Sequence, residues 1–294
     1  MLKVLITGSS GFIGRNITEY LGDKHRLCTP SSGELDLLHE NAVREFLKRH
    51  KFDVVIHTAT TRSNRRLGAP ADMIYRNCRM FFNLARNEPL FGKMLHFGSG
   101  AEYDRRRALA CAAEDYFDTA VPVDDYGFSK YICAKAIRTS NKIVNLRLFA
   151  VFGKYEAWDV RFISNACARV VTGLPIVIRQ NIKFDYLYVN DLAKITLWFI
   201  ENTPRRREYN VCTGTAYELA DLATIVASVS GRDPEIKILN HRMGLEYSGN
   251  NQALLEEIRP YEFHDMQLAV GELYSWYAEH KDSLDPRLLQ FDGE

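Results

Sequence analysis

The sequence contains no C-x-x-C pair, no apolar run long enough to span a membrane, no internal repeat and no low-complexity linker. Its six cysteines are scattered over 294 residues, which argues against a disulfide framework or a zinc site and favours buried thiols in a reducing compartment. The formal net charge is only +1, so we expect neither nucleic-acid nor membrane binding. Met1 leads directly into an apolar segment, so we expect no signal peptide and a cytoplasmic location. The cysteine spacing also leads us to expect no bound metal.

The composition is that of an ordinary globular protein, with 46% hydrophobic and 26% charged residues. The length suits one large α/β domain or one domain with a smaller lobe. Basic residues form short runs at Arg65–Arg66, Arg105–Arg107 and Arg205–Arg207. Such runs usually lie in solvated loops, and the alternative is that they bind an anionic substrate.

The most informative segment is Lys3–Gly14, in which an apolar strand runs into a glycine-rich turn and then a helix. Gly8 permits the tight turn, Gly11 lets the backbone approach a pyrophosphate, and Gly14 lets the helix pack on the strand. The helix N-terminus then offers N–H groups to the anion. We therefore predict a dinucleotide site with contacts from Gly8, Ser10, Gly11, Phe12, Ile13 and Gly14.

Strand and helix patterns alternate through the first half of the chain, which predicts βα units and a doubly wound parallel sheet. The ligand of such a sheet lies beyond the carboxyl ends of the strands. Predicted strands are Val4–Thr7, Arg26–Cys28, Phe52–Thr58, Lys93–Phe97 and Ile143–Leu148, and predicted helices are Ile13–Leu21, Asn41–Arg49, Met73–Asn87 and Tyr126–Thr139.

After about residue 150 the pattern loosens, which predicts a smaller C-terminal α/β lobe that binds substrate. We expect a dinucleotide-binding domain over 1–150, with segments around 181–215 partly returning to it, and a substrate lobe over 151–294. Predicted helices of this half are Phe162–Thr172 and Glu218–Ser230, and predicted strands are Pro175–Ile178 and Glu235–Leu239.

Tyr126 and Lys130 form a Y-x-x-x-K pair at the start of a predicted helix. Residues four apart lie on one helix face, and a nearby ammonium favours the phenolate and lowers the tyrosine pKa. Such a tyrosine can exchange a proton with a substrate alcohol while hydride moves to or from nicotinamide. Lys130 can also reach the ribose hydroxyls of the cofactor. Ser99, just after the preceding strand, supplies a hydroxyl for the reacting oxygen.

With these motifs in place, nearly the whole chain resembles the extended short-chain dehydrogenase/reductase family, which includes sugar-nucleotide epimerases, dehydratases and ketoreductases. The matching segments are Thr7–Gly14, Asp36–Leu37, His57–Ala59, Asn77, Ser99, Tyr126 with Lys130, Arg147, Phe152–Gly153, Phe184–Asp191 and Tyr209–Gly214. The Glu34–Leu38 stretch and the helix after it look most like the GDP-fucose synthase branch.

The resemblance implies a Rossmann-type fold and a catalytic triad of Ser99, Tyr126 and Lys130. It also implies adenine contacts from Asp36 and Leu37, with the ribose and pyrophosphate lined by Thr58 and Ala59. Members of the family often form homodimers through the helix of the catalytic tyrosine. The apolar residues Ile132 and Ile137 permit that contact here.

The chain differs from members of this family at the positions whose residues carry out dehydration or epimerisation. Dehydratases of the family have an Asp-Glu pair directly after the catalytic Ser or Thr, where this chain has Gly100 and Ala101. GDP-fucose synthase uses a Cys at the position of Ala101 and a His near the position of Arg161. Neither 4,6-dehydration nor C3/C5 epimerisation is therefore expected, which leaves C4 keto reduction or C4 epimerisation.

Two further departures concern the substrate. Phe184 stands where family members often have an arginine for a nucleotide phosphate, and Ala150 stands where they often have an asparagine. A basic diphosphate clamp would distinguish a nucleotide-sugar enzyme from a reductase of small carbonyl compounds. The candidates for that clamp are Arg161, Lys183 and Arg242.

The second predicted strand is not followed by the acidic residue that would bind the 2′-hydroxyl of NAD. Ser31, Ser32 and nearby Arg15 offer donors for a 2′-phosphate, with no acid before Glu34. We therefore favour NADP(H) over NAD(H). The leading hypothesis is an NADP-dependent reductase of a nucleotide-linked 4-keto sugar. The alternatives are a C4 epimerase with resident NAD, a small-carbonyl reductase and a non-catalytic dinucleotide sensor.

Overall fold

A computed structural model describes residues 1–61, 68 and 70–289 of the chain, so the Arg65–Arg66 run lies outside the described residues. The strands are β1 (Lys3–Thr7), β2 (Arg26–Cys28), β3 (Phe52–His57), β4 (Phe91–Ser99), β5 (Leu109–Ala112), β6 (Ile143–Leu148), β7 (Ala150–Phe152), β8 (Ile176–Gln180), β9 (Lys183–Tyr188), β10 (Glu208–Val211), β11 (Ala216–Glu218), β12 (Ile236–Asn240) and β13 (Tyr247–Gly249). The α-helices are α1 (Phe12–Leu21), α2 (Glu40–His50), α3 (Met73–Ala85), α4 (Asp125–Ile137), α5 (Phe162–Thr172), α6 (Val189–Glu201), α7 (Leu219–Ser230), α8 (Gln252–Ile258) and α9 (Met266–Glu279).

The first sheet is wholly parallel and has the strand order β10-β6-β4-β3-β1-β2. The chain moves outward from β1 to β2 and then returns to β3 on the other side of β1. This reversal places the topological switch point between β1 and β3, where open α/β sheets bind ligands. The predicted doubly wound α/β fold is confirmed, and the predicted strands and helices of the first half are present within about two residues.

Alternation along the strands separates the two hydrophobic cores that flank this sheet. Val4 and Ile6 of β1 pack on the side of α1 and α6. Leu5 packs on the opposite side, with the residues of α2, α3 and α4. All three side chains are completely buried, as expected of a parallel strand covered by helices on both faces.

A second sheet has the order β11-β9-β13-β5, with β7 also pairing with β9. Strands β8 and β12 form a separate parallel pair. Helices α5, α7 and α9 pack together on the core of this half. The predicted strands did not include β5, β7, β9, β10, β11 or β13. All of these except the six-residue β9 have only three or four residues, which is too short to show a period.

The two sheets do not divide the chain at one point. Strand β5 precedes residue 150 yet belongs to the second sheet, while β10 follows residue 150 and pairs with β6 in the first. Helix α6 packs on α1. The division into a cofactor domain over 1–150 and a substrate lobe over 151–294 stays a prediction.

Two expectations about exposure are wrong. All six cysteines are free, but Cys111 is exposed and only Cys133, Cys167 and Cys212 are buried. Ile137, expected on a dimer face, is 1% exposed because it packs in the core beneath α4. Among the described residues, no helix is both long and apolar enough to cross a membrane.

Candidate active site

The glycine turn after β1 is built by close backbone contacts. Gly8 has a φ of +74°, and a Cβ on it would overlap the backbone of Ala59. A Cβ on Gly14 would overlap the carbonyl group of Gly8. At Gly11, by contrast, a Cβ would meet only the oxygen of Gly8, at 3.3 Å. The fold itself therefore requires glycine at positions 8 and 14. A side chain at position 11 would instead occupy the space above the turn, where a ligand would lie.

Helix α1 begins directly after this turn. Its N-cap, Gly11, has extended backbone, and no described side chain caps it. The first-turn amides of Phe12 and Ile13 have no acceptor within the helix, and the helix dipole adds positive potential there. Together with Ser10, which is exposed, these groups form a cradle that fits a pyrophosphate.

Thr58 and Ala59 follow β3, on the far side of the switch point. The Thr58 hydroxyl donates to the carbonyl oxygen of Thr7 at 2.7 Å, which ties the end of β3 to the end of β1. Ala59 faces Gly8. Both predicted cofactor residues therefore lie beside the turn, and the side chain of Thr58 is already used to hold it.

Two of the predicted 2′-phosphate donors, Ser31 and Arg15, donate hydrogen bonds to neighbouring carboxylates. The amide and hydroxyl of Ser31 both donate to Glu34, each at 2.8 Å, and these bonds lower the pKa of that carboxyl group. Arg15 donates to Glu19 at 3.3 Å and lies 3.6 Å from the ring centre of Tyr155. Ser32 is exposed. A 2′-phosphate in this region would therefore meet the negative charge of Glu34.

The two predicted adenine contacts differ in what they offer. Asp36 is half exposed, and its carboxylate accepts from the amide of Leu38 at 2.9 Å. The side chain of Leu37 is buried in the core, and its carbonyl oxygen accepts from Asn83 at 2.8 Å. Asp36 can thus contact a ligand through its side chain. Leu37 can do so only through its backbone, because its side chain is buried.

Helix α4 carries Tyr126 and Lys130 on consecutive turns. Asp124 caps this helix by accepting from the amide of Gly127 at 2.9 Å. The Lys130 ammonium lies 6.0 Å from the ring centre of Tyr126 and donates to the carbonyl oxygen of Phe97 at 2.6 Å. Lys130 is only 6% exposed, so the methylene groups of its side chain are packed in the protein. Its ammonium group lies near the end of β4, where Phe97 is.

Ser99 is the last residue of β4 and the cap of a 3-10 turn over Gly100–Glu102. Its hydroxyl oxygen accepts from the amide of Ala101 at 3.2 Å, and its own amide donates to Glu102 at 2.9 Å. This reciprocal capping box fixes the Ser99 backbone and hydroxyl at the carboxyl edge of the sheet. Ser99 lies two residues after Phe97, whose carbonyl oxygen accepts the hydrogen bond from Lys130.

Beneath Ser99 lies a buried ion pair that sequence reasoning missed. Arg147 donates to Glu102 at 2.6 Å, and both side chains are completely buried. Arg147 also donates to the Tyr103 hydroxyl and to Glu208, each at 2.9 Å. Burial works against the charge, but the two carboxylates raise the pKa of Arg147 above its ordinary value. An arginine inside a predicted strand whose other residues are apolar except for Asn145 was the signal that could have revealed it.

Asn77 of α3 connects two parts of the site. Its amide oxygen accepts from the backbone N–H of Thr61 at 2.7 Å, and its NH2 group donates to the Ser129 hydroxyl at 3.2 Å. Asn77 is 6% exposed. The segment after β3 is thereby attached to the helix of Tyr126.

The basic residues proposed for the substrate are spread over the second half of the chain. Arg161 is exposed at the N-cap of α5. Lys183 begins β9 and lies 4.0 Å from Glu218. Arg242 follows β12, where its amide donates to Asn240.

Four arginines of the described basic runs lie in local ion pairs. Arg105 pairs with Asp124 and Arg106 with Asp104. Arg205 and Arg206 pair with Glu257 and Glu256 respectively, at 3.2 and 3.3 Å. These arrangements favour the interpretation of the runs as solvated loops, since each of the four guanidinium groups already has a carboxylate.

Relatives of known activity match over nearly the full length of the chain. GDP-L-colitose synthase of Yersinia pseudotuberculosis is 24% identical over 308 aligned positions, which cover 96% of this chain and all of that protein. The fold of the present chain is shared with the GDP-L-fucose synthetase of Naegleria fowleri solved with NADP (TM-score 0.84, 15% identity, 96% of this chain and 94% of that one). It is also shared with the GDP-mannoheptose C4 reductase of Campylobacter jejuni solved with NADP (TM-score 0.77, 20% identity, 94% and 98%).

The family model described as the NAD dependent epimerase/dehydratase family matches residues 4–212. This span holds the glycine turn, Ser99, Tyr126 and Lys130, together with all six strands of the first sheet. The resemblance found in the sequence is therefore confirmed, and the chain belongs to the NAD dependent epimerase/dehydratase family of extended short-chain dehydrogenase/reductase enzymes.

Proposed function

We propose that the protein reduces the 4-keto group of a nucleotide-linked sugar with NADPH. The observation that carries this proposal is the bond between Lys130 and Phe97, because it brings the Tyr126 helix to the strand that ends at Ser99. In this proposal the Tyr126 phenol, the Lys130 ammonium and the Ser99 hydroxyl act together at the carboxyl edge of β4, two strands from the glycine turn.

In this reaction, bound NADPH supplies a hydride to the keto carbon. Tyr126 donates its proton to the keto oxygen, so the carbonyl becomes an alcohol. Ser99 donates a hydrogen bond to the same oxygen and stabilises the charge that develops on it. Lys130 binds the ribose hydroxyls and favours the phenolate that Tyr126 becomes.

The segment after Ser99 supports simple reduction over dehydration. Gly100 and Ala101 carry no group that could remove a hydroxyl or a ring proton. Glu102 is the nearest carboxylate, but it is completely buried and paired with Arg147. A carboxylate held in that way is not available as a general acid for a sugar hydroxyl.

The substrate class rests on the relatives. The matched synthase and the C4 reductase are both named for GDP-linked sugars. Arg161 and Lys183 of the second half would hold the diphosphate of such a substrate, because guanidinium and ammonium groups bind phosphate oxygens well. Lys183 would exchange its pairing with Glu218 for that contact.

NADP(H) is the proposed cofactor, with Ser31, Ser32 and Arg15 toward the 2′-phosphate and Asp36 toward adenine. Both solved neighbours named above hold NADP. The bond between Ser31 and Glu34 opposes this assignment, so Glu34 must turn away when the phosphate binds. An NAD-dependent C4 epimerase is the alternative that this opposition favours.

The quaternary structure proposed is a homodimer that uses α4. Ile132 is partly exposed on this helix, whereas Ile137 is not available. Light scattering on a sizing column measures the mass directly. A mass near 67 kDa, twice the 33.7 kDa of one chain, supports the dimer, and a single-chain mass refutes it.

The first experiment is mass spectrometry of any nucleotide released when the purified protein is denatured, followed by NADPH and NADH titrations of the emptied protein. We expect an empty protein that binds NADPH more tightly and oxidises it when given GDP-linked 4-keto sugars. Stoichiometric NAD carried through purification, with interconversion of C4 epimers, would establish the epimerase instead. Tight cofactor binding without turnover of any nucleotide sugar would indicate a sensor.

A further inference from the structure

A tyrosine from the second sheet reaches the end of β4. Tyr247 of β13 pairs in register with Leu109 of β5 and with Phe184 of β9. Its ring centre lies 5.1 Å from that of Phe149 and 5.8 Å from that of Phe184. Two aromatic neighbours and two paired strands therefore fix the direction in which the phenol points.

The phenol ends beside Ser99. The Ser99 hydroxyl lowers the pKa of Tyr247 and a Tyr126 phenolate would raise it, so both side chains lie near the phenol. The Tyr247 oxygen also lies directly against Gly100, where an added Cβ would come within 2.5 Å of it. Gly100 is thus the residue type that admits this phenol next to Ser99.

Burial raises the pKa of Tyr247 well above its ordinary value, so the phenol keeps its proton at neutral pH. A serine hydroxyl has two acceptor sites and one proton to donate. The Ala101 amide fills one acceptor site of Ser99, and the Tyr247 hydroxyl can fill the other. The Ser99 proton is then directed outward, to the position of a substrate oxygen.

We propose that Tyr247 is a positioning residue that donates to the Ser99 hydroxyl and thereby turns the Ser99 proton toward the carbonyl oxygen of the substrate. This inference rests on the proposed function, in which Ser99 binds that oxygen. In this proposal Tyr247 of the second sheet orients Ser99 of the first sheet, so both sheets contribute residues to the reacting centre.

The kinetic test compares Tyr247→Phe with Tyr217→Phe, a matched change on β11, which pairs with β9 on its other side. For Tyr247→Phe we expect kcat to fall about tenfold with unchanged KM, NADPH affinity and melting temperature, because one neutral hydrogen bond is lost. Gly100→Ala, which displaces the phenol, should lower kcat to a similar degree. Tyr217→Phe should keep the parent kcat.

The double variant decides whether Tyr247 acts through Ser99. If it does, Ser99→Ala/Tyr247→Phe is no slower than Ser99→Ala alone. A kcat equal to the parent in Tyr247→Phe, or losses that multiply in the double variant, would overturn the proposal.

A crystal structure of the parent protein separates this inference from the proposed function. A Tyr247 oxygen within hydrogen-bond distance of Ser99 Oγ, and a rotated Ser99 side chain in Tyr247→Phe, support the positioning role whatever the substrate. A separation beyond hydrogen-bond distance overturns it. If the parent reduces none of the 4-keto sugars offered, the proposed function fails, and this structural comparison still decides the role of Tyr247.

Discussion

The ammonium of Lys130 donates a hydrogen bond of 2.6 Å to the carbonyl oxygen of Phe97, two residues before β4 ends. This bond joins the helix that carries Tyr126 to the strand that ends in Ser99. The same charge is felt at His57 and His96, which are buried on the neighbouring strands β3 and β4. One side chain therefore links the elements of the candidate active site and adds to the effect of burial on the histidines below it.

Tyr126→Phe should lower kcat by about 100- to 10,000-fold, because the proposed proton donor is lost. NADPH affinity should change little, since the ring and Lys130 remain. Stopped-flow measurement of NADPH oxidation with a 4-keto nucleotide sugar gives the rate. Tyr131→Phe, on the same helix but hydrogen-bonded to Asp118, is the control. Comparable turnover in Tyr126→Phe would refute the triad.

Gly11→Val and Gly14→Val should fail in different ways. A side chain at position 11 meets only the oxygen of Gly8, so the protein should fold with its normal melting temperature and lose dinucleotide binding. A side chain at position 14 overlaps the Gly8 carbonyl group and should destabilise the protein itself. Thermal unfolding and NADPH titration separate the two effects. Normal cofactor affinity in Gly11→Val would contradict the pyrophosphate cradle.

Glu34→Gln should raise the affinity for NADPH relative to NADH. The substitution removes the negative charge beside Ser31 while keeping a side chain of the same size. We expect the ratio of the two dissociation constants to change by about tenfold, as for one charge-assisted hydrogen bond. Fluorescence titration of both cofactors measures the ratio. Glu45→Gln on α2, exposed and paired with Lys48, is the matched control.

Arg147→Met should lower the free energy of unfolding by about 3–5 kcal/mol, since it leaves the Glu102 carboxylate buried without its partner. Adding Glu102→Gln should restore part of that loss, because the neutral amide no longer requires a counter-charge. Urea unfolding monitored by circular dichroism measures both. Equal stability of Arg147→Met and the parent would show that the pair is not buried as described.

The protein should lose stability as the pH falls below about 6.5. Burial, with a smaller effect of the Lys130 charge, lowers the pKa of His57 to about 3 and that of His96 well below its ordinary value. The unfolded chain takes up protons at these histidines that the folded chain does not, so acid favours unfolding. Each contributes about 1.4 kcal/mol per pH unit between pH 6 and 4.

His96→Leu tests this dependence, because neither nitrogen of the His96 ring has a partner among the described residues. Urea unfolding at pH 7, 6 and 5 should show a shallower loss of stability in the variant than in the parent. His39→Leu, at an exposed position on the same protein, should leave the slope unchanged. The parental slope in His96→Leu would mean that this histidine is already protonated in the folded state.

Local patterns in the sequence determined five strands of the first sheet, all but β10, together with the glycine turn and the places of Ser99, Tyr126 and Lys130 relative to the predicted elements. Each of these depends on residues within a few positions of one another, where strand alternation, helical spacing and turn chemistry act directly. Gly14 belongs to this class, because a Cβ there would overlap the carbonyl group of Gly8 in the same turn, whereas Gly8 is also required by the backbone of Ala59, which only the tertiary structure brings next to it.

Only the tertiary structure decided the relationships between distant residues. Arg147 and Glu102 are 45 residues apart, Tyr247 reaches Gly100 beside Ser99 from another sheet, and Ile137 faces the core where a helical pattern left either face open. Periodicity tells which residues are apolar but not which partner covers them. The short strands β5 and β13 are far apart in the chain, and their pairing in the second sheet brings the Tyr247 phenol against Gly100, next to Ser99.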